Sequence, residues 1–299
     1  MTYALEAVGL GKRYHRTRAL DGCSFRIEPG RVAALIGANG AGKSTLLHLA
    51  AGLLRPTEGT VTVLGRRPRD QAADPVVARV GFVAQDAPLY PHLTVAEHLR
   101  LGRRLNRRWD QATAEHRVQE LAIPLDRRAG RLSGGQRTQV ALTLALGKRP
   151  ELILLDEPLA SIDPLARRQF LRELMQATAA GGVTVMLSSH LVTDLERVCD
   201  HLVLLNAGRV QVAGDIEDLL DSHRLLVGPA AAGGLVLPGV TVVHRSVHAR
   251  QTSLWVRGRP GPLPPAWQES ALSLEELVLA YLAEPRAAIP TAGPLEAAS

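Results

Sequence analysis

Gly37-Ala38-Asn39-Gly40-Ala41-Gly42-Lys43-Ser44-Thr45 is the stretch on which the reading of this chain turns. It follows the apolar run Val32-Ala33-Ala34-Leu35-Ile36, which predicts a buried β-strand, and leads into Leu46-Leu47-His48-Leu49-Ala50, which predicts a helix. A strand, a glycine-rich turn and Lys-Ser at a helix N-terminus together predict a phosphate-binding loop. The first N–H groups of a helix lack intrahelical partners, and the helix dipole leaves partial positive charge there. Gly37, Gly40 and Gly42 carry no β-carbon, so the backbone of residues 37–45 can wrap a phosphate closely. Lys43 adds a point charge toward the β- and γ-phosphates, and Ser44 is placed to ligate Mg²⁺. The expected ligand is a nucleoside triphosphate.

The 299 residues allow one large domain, or a main domain plus a small one, and a 46% hydrophobic composition is enough for a full core. No apolar run approaches the roughly 20 residues of a membrane span. The N-terminus Met1-Thr2-Tyr3-Ala4-Leu5-Glu6 lacks the basic-then-apolar pattern of a signal peptide, so a cytoplasmic protein is expected. Cys23 and Cys199 have no metal spacing and read as two reduced thiols. The net charge of +6 is spread along the chain without interleaved aromatics, which argues against a nucleic-acid partner. Lysine occurs only at Lys12, Lys43 and Lys148, so one of the three sits where the phosphate loop needs it.

Upstream of the loop, residues 3 to 8 and 23 to 28 alternate like two strands of an antiparallel edge sheet. Tyr14 lies between them, either beside a bound adenine or as a packed surface ring. Downstream, Thr60–Leu64 and Arg79–Gln85 read as strands, and Gln85 ends the second of them, where ligands collect in α/β proteins. Residues 86 to 135 change character to helical periodicity, with helices expected from Val95 and over Gln111–Leu121. Arg103, Arg104, Arg107 and Arg108 read as a solvated face that can also meet a partner or lipid headgroups. Ser133-Gly134-Gly135-Gln136 then opens another helix, a second anion-binding terminus in a chain that already has one.

The apolar strand Leu152-Ile153-Leu154-Leu155 delivers Asp156 and Glu157 at its carboxyl end. Asp156 suits Mg²⁺, and Glu157 can polarise an attacking water. Ser161-Ile162-Asp163-Pro164 turns into a helix through about Ala179, and Val183–Ser189 reads as a strand ending at His190. That histidine is placed either to hydrogen-bond a γ-phosphate or to serve the structure. A hairpin is expected with its turn at Asn206-Ala207-Gly208. Beyond residue 221 the motifs thin out, leaving strands at 240 to 244 and 253 to 257 and a capping box at Ser273–Glu276 opening a helix to about Ala283. Residues 284 to 299 are rich in Pro, Ala and Gly and read as a disordered tail.

In this order the residues resemble the nucleotide-binding subunit of ATP-binding cassette (ABC) transporters. Residues 37 to 45 look like its Walker A motif, Leu132 to Gln136 like its signature motif and residues 152 to 157 like Walker B. Tyr14 resembles the A-loop aromatic, Gln85 the Q-loop, Ser161 to Asp163 the D-loop and His190 the H-loop. Ile162 stands where Leu is frequent, and Thr138-Gln139 where Gln-Arg is common; neither position touches a phosphate ligand.

The resemblance implies an α/β P-loop NTPase of ABC type. It has a mixed core sheet, an antiparallel β edge subdomain, a helical insertion and a small α+β C-terminal extension. The expected division is 1–221 for the cassette, 222–283 for an accessory domain and 284–299 for the tail. The implied chemistry is Mg²⁺-dependent ATP hydrolysis, with Glu157, His190, Gln85 and Asp163 as catalytic residues. Tyr14, Gly37, Ala38, Asn39, Gly40, Ala41, Gly42, Lys43, Ser44 and Thr45 bind the nucleotide, and Ser44, Gln85 and Asp156 serve the metal. Two cassettes pair head-to-tail, so that Ser133, Gly134, Gly135 and Gln136 of one face the nucleotide of the other.

A separate permease then carries the translocation pathway, and this chain attaches through it to the cytoplasmic face of the membrane. Residues 93 to 99 and 274 to 282 look most like cassettes of ABC-2 type exporters. An importer cassette is the alternative, and a non-transport ABC ATPase is a further one.

Overall fold

The buried run at residues 32–36 becomes the centre of a six-stranded sheet. A computed structural model describes residues 2–68, 75–160, 162–193, 195–230 and 237–284. The chain opens with β1 (Leu5–Tyr14) and β2 (Thr17–Ile27), an antiparallel pair extended on the other side of β1 after β3 (Val32–Ile36) and α1 (Lys43–Ala50) by β4 (Glu58–Val63). Next come α2 (Pro75–Ala78), β5 (Val80–Val83), α3 (Val95–Leu105), α4 (Gln111–Glu120) and α5 (Gly134–Gly147). Then follow β6 (Leu152–Leu155), α6 (Pro164–Gly181), β7 (Thr184–Ser189), β8 (His201–Asn206), β9 (Arg209–Asp215) and α7 (Ile216–Asp221). The chain ends in β10 (His223–Pro229), β11 (Thr241–His248), β12 (Gln251–Arg257), β13 (Gln268–Ser270) and α8 (Leu274–Ala283).

The central sheet runs β5-β6-β7-β3-β8-β9 and is mixed as expected, because β5, β6, β7, β3 and β8 are parallel while β9 returns antiparallel. Every residue of β3, β6 and β7 is buried, which is why these strands read as continuous apolar runs. The parallel arrangement matters for function. Gln85, Gly37, Asp156-Glu157 and His190 follow the carboxyl ends of β5, β3, β6 and β7, on the edge where α/β sheets bind ligands.

The turn between β8 and β9 has Ala207 at φ 47° and Gly208 at φ 77°, the two-residue pattern that matches strand twist. It also braces the phosphate loop, since the Gly208 N–H donates to Ala41 O at 3.1 Å and the Asp21 N–H to Gly208 O at 2.8 Å.

β1 and β2 are longer than their alternation predicts. They continue through Gly11–Gly22 as one hairpin that turns at His15, whose φ is 48°. The helices α3, α4 and α5 enclose a core of their own around Val95, Leu99, Val118 and Val140. Trp109 fills the space left by Gly102 and Gly147, where a β-carbon would lie 2.6 Å from its ring in each case.

The C-terminal sheet runs β11-β12-β10-β13 and holds a small cluster of Leu226, Leu254, Val256 and Trp267. The helix α8 forms as its Ser273–Glu276 capping box predicts, with Glu276 N–H donating to Ser273 Oγ at 3.2 Å and Ser273 N–H to Glu276 Oε2 at 2.8 Å. It buries Leu277 and Tyr281 in the same continuous core as Phe170 and Leu174 of α6, each large side chain contributing ~1.5–3 kcal/mol. Below it, His223 and Tyr281 are both buried. Tyr281 Oη donates to His223 Nε2 at 2.9 Å, while His223 Nδ1–H donates to Leu219 O at 2.6 Å. Burial holds the His223 pKa below its ordinary value and pushes that of Tyr281 up to about 12.

Among the described residues no helix is long and apolar enough to cross a membrane. The tail expected at 284–299 lies outside the described residues apart from Glu284.

Candidate functional site

Gly42 caps α1 in a left-handed conformation, φ 106°, and no side chain occupies the first N–H groups of that helix. Two loop glycines are demanded by close approach to the protein itself. A β-carbon on Gly37 would lie 2.3 Å from Leu205 O, and one on Gly42 would lie 2.5 Å from Ala19 O. Gly40, at φ 79°, faces open space and is needed for its backbone conformation alone. Lys43 is buried, and its Nζ donates to Gly37 O at 2.8 Å and Ala38 O at 3.3 Å. The same Nζ lies 3.1 Å from Glu157 Oε1, an ion pair without hydrogen-bond alignment.

The acidic pair divides as a strand end dictates. Asp156 is 2% exposed and accepts a hydrogen bond from Ser188 Oγ at 2.8 Å. Glu157 turns out of the strand at φ 46°, a strained backbone for a residue with a β-carbon. Its N–H donates to Ser188 Oγ at 2.8 Å, so one hydroxyl holds both acids in place. Glu157 Oε2 lies 2.9 Å from His190 Nδ1. Lys43, Glu157 and His190 thus form one chain of contacts drawn from α1, the end of β6 and the end of β7.

These groups border a cavity of about 400 Å³ lined by Ala19, Asn39, Gly40, Gly42, Lys43, Ser44, Thr45, Gln85, Glu157, Ala160 and His190. The remaining expected residues stand off it. Gly37, Ala38 and Ala41 shape the loop from behind, and Asp156 lies one residue behind Glu157. Tyr14 is exposed at the hairpin end, paired with Thr17 and with Lys12 Nζ 5.3 Å from its ring centroid, and of this hairpin Ala19 on β2 reaches the cavity. Asp163 caps α6, its Oδ1 accepting from Ala166 N–H at 3.1 Å. Ser161 lies outside the described residues.

Ser133, Gly134, Gly135 and Gln136 form the start of α5 and none lines the cavity. Ser133 is exposed and closes a capping box with Gln136, at 3.2 Å from Gln136 N to its Oγ and 3.1 Å from its own N to Gln136 Oε1. That helix end presents its serine and two glycines outward.

Ser188 and the carbonyl of Leu205 are positioning groups that the reading of the sequence passed over. The available signal for Ser188 is a pair of hydroxyl residues, Ser188 and Ser189, closing a strand whose middle is apolar. Nothing in the sequence signals a carbonyl.

No cluster of three or more His, Cys, Asp or Glu able to hold a metal occurs among the described residues. Ser44 and Gln85 on the cavity wall, with the buried Asp156 behind, are the oxygen donors that could hold a Mg²⁺ bound mainly by phosphates and water.

The fold defines a P-loop NTPase of cassette type. The ABC transporter family model matches residues 20–160. An iron(III) import ATP-binding protein, FbpC 2 of Rhodococcus jostii, is 38% identical over 72% of this chain and 63% of its own length. The molybdenum import ATP-binding protein ModC of Mycobacterium tuberculosis is 33% identical over 90% of this chain and 76% of its own length. Among solved structures, an ATP-binding subunit of an ABC transporter superposes with a TM-score of 0.66 at 31% identity, covering 73% of this chain and 92% of that one. A dimeric bacterial ABC transporter cassette superposes at 0.65 with 25% identity, covering 71% and 98%.

The chain belongs to the ABC transporter family and is one of its ATP-binding subunits. It spans less than two thirds of the length of the iron import relative. These relatives are named for import, whereas residues 93–99 and 274–282 resemble cassettes of ABC-2 type exporters. In the structure residues 93–99 form the capped start of α3 on the insertion, and residues 274–282 lie in the core-packed helix α8.

Proposed function

We propose that this chain hydrolyses ATP to drive a separate membrane permease in an import system, working as a head-to-tail pair of cassettes. The convergence of Lys43, Glu157 and His190 on one cavity at the carboxyl edge of the sheet carries this reading. Lys43 and the free N–H groups of α1 bind the β- and γ-phosphates. An arriving γ-phosphate competes with Glu157 for the lysine. Released from Lys43, Glu157 holds and deprotonates the attacking water, a role worth ~10²–10⁴-fold in rate. His190 keeps the glutamate in line through its 2.9 Å contact and reaches toward the γ-phosphate. Ser44, Gln85 and Asp156 would hold Mg²⁺, which offsets phosphate charge.

The outward-facing start of α5 supports its use by a second copy, in which Ser133 and Gly135 would cover the nucleotide of the first. The dimeric cassette among the structural relatives supports the same pairing. In this reading Tyr14, at the hairpin end beyond Ala19, would meet the adenine ring, and Asp163 the partner cassette.

Import is favoured over export by the names of the relatives. The molybdenum relative matches 90% of the chain and therefore reaches past residue 221 into the C-terminal sheet. We read residues 222–283 as an accessory region on the cassette of residues 1–221, and the whole as a peripheral protein of the cytoplasmic membrane face.

The decisive test is Glu157→Gln. ATP affinity should stay within about threefold, turnover should fall at least ~100-fold, and an ATP-dependent dimer should appear on size exclusion. Unchanged turnover would falsify the assignment of the base. Co-purification of a permease with a solute-binding protein supports import, whereas a permease with no such partner favours export.

A further inference from the structure

Residues of α6 together with Thr193, Arg197 and Val198 border a second cavity of about 450 Å³. Arg168, Arg172 and Arg197 stand around it over a floor of Leu171, Met175 and Val198. Among the described residues none of these three arginines makes a hydrogen bond or ion pair. The acid beside them on α6, Glu173, is already engaged, with its Oε2 2.5 Å from Arg117 Nη2 and its Oε1 accepting from Gln169 Nε2 at 3.0 Å. Arg168 and Arg172 are four residues apart on one helix face, a like-charge spacing that opposes the helix unless an anion lies between them. The site is concave, within the size range of small-molecule pockets, and combines an apolar floor with a few charged groups.

We propose that this groove binds a phosphate monoester with an apolar body. The phosphate is held by the planar guanidinium forks of Arg168, Arg172 and Arg197, whose paired N–H groups match its oxygens. The apolar part covers Leu171, Met175 and Val198. That floor argues against bare inorganic phosphate, and the concave shape argues against a flat anionic surface. The groove lies behind the nucleotide site in the chain: α6 begins directly after Asp163, and Thr193 on the groove wall follows His190 by three residues.

The test is calorimetric titration of the full chain with 1-naphthyl phosphate, with inorganic phosphate, and with phosphatidylglycerol vesicles. The expected result is one saturable site for the ester, with inorganic phosphate weaker. Affinity should drop at least tenfold in the R172Q/R197Q variant, fall by a smaller factor in R172K/R197K, which keeps the charge but loses the forks, and be unchanged in Lys43→Ala. Measurable residual binding in the lysine pair separates loss of the site from loss of the fold. Absent saturation, equal affinity in R172Q/R197Q, or loss of binding in Lys43→Ala overturns the proposal, the last by placing the ester in the nucleotide cavity. Arginine-dependent binding to vesicles without binding of the soluble ester also overturns it, by assigning the phosphate to a lipid headgroup.

Discussion

Replacing Ser188 by alanine removes one oxygen and isolates the role of the hydroxyl that joins the two acids. Two hydrogen bonds disappear, one to the buried Asp156 carboxylate and one from the strained Glu157 backbone, each 2.8 Å long. Bonds to charged groups contribute ~1.5–3 kcal/mol and neutral ones ~0.5–1.5 kcal/mol, so the combined loss of stability should be about 2–4.5 kcal/mol. The catalytic effect follows from geometry. Glu157 is held at φ 46° against its backbone preference, and freeing its N–H lets the side chain drift from the line set by His190. Misplacement by an ångström costs ~100-fold in rate. We expect kcat to fall ~10–100-fold while KM for ATP moves less than about threefold, since Lys43 and the start of α1 are untouched. Steady-state phosphate release on folded Ser188→Ala protein, verified by circular dichroism, reads both quantities. A folded variant with wild-type kcat would refute the view that this hydroxyl positions the acid.

Gly37→Ala drives a methyl group to 2.3 Å from Leu205 O, so the melting temperature should fall, with overpacking costing ~1–3 kcal/mol or more; calorimetry checks it. Mixing Lys43→Ala with Ser133→Arg should restore ATPase activity that neither has alone, because a mixed pair regains one composite site; no recovery means the two motifs do not meet across a dimer. Tyr281→Phe leaves His223 Nε2 without its donor in a buried site and should cost ~1–3 kcal/mol, read as a lower Tm. The folded protein keeps His223 neutral, with its pKa below the ordinary 6.5, so that contribution is complete above pH 6.5 and is lost as pH falls toward the folded value. Thermal melts in that acid range should show it, and a flat profile would contradict it.

Features that depend on local pattern were legible in the sequence. The strand, loop and helix at 32–50, the acidic strand end and the Ser273 capping box each declare themselves through a few neighbouring residues. What was not legible depends on distant partners. The strand β10 carries no clean alternation in His223–Pro229 because residues on both of its faces are buried or half-buried, and β13 is only three exposed residues long. The extension of β1 and β2 hides behind Lys12, Arg13 and Arg18, which are polar because this hairpin end stands in solvent. At the site, sequence placed Asp156 and Glu157 side by side, but only the turn at Glu157 sends one to the cavity and keeps the other behind it. The reading as an exporter rested on helices whose apolar faces serve packing, and packing carries no information about the direction of transport.

The helix α8 ends the described chain, yet its Leu277 and Tyr281 belong to the same core as Phe170 and Leu174 of α6, and Asn206 Nδ2 ties its last turn to β8 by donating to Leu282 O at 3.2 Å. A close-packed interior transmits displacement rather than absorbing it. The four-stranded sheet is therefore geared to the helix that starts at Asp163: a torque applied to that sheet from outside has a stiff route to the catalytic edge, and trimming the chain at residue 221 would strip the teeth from that gear.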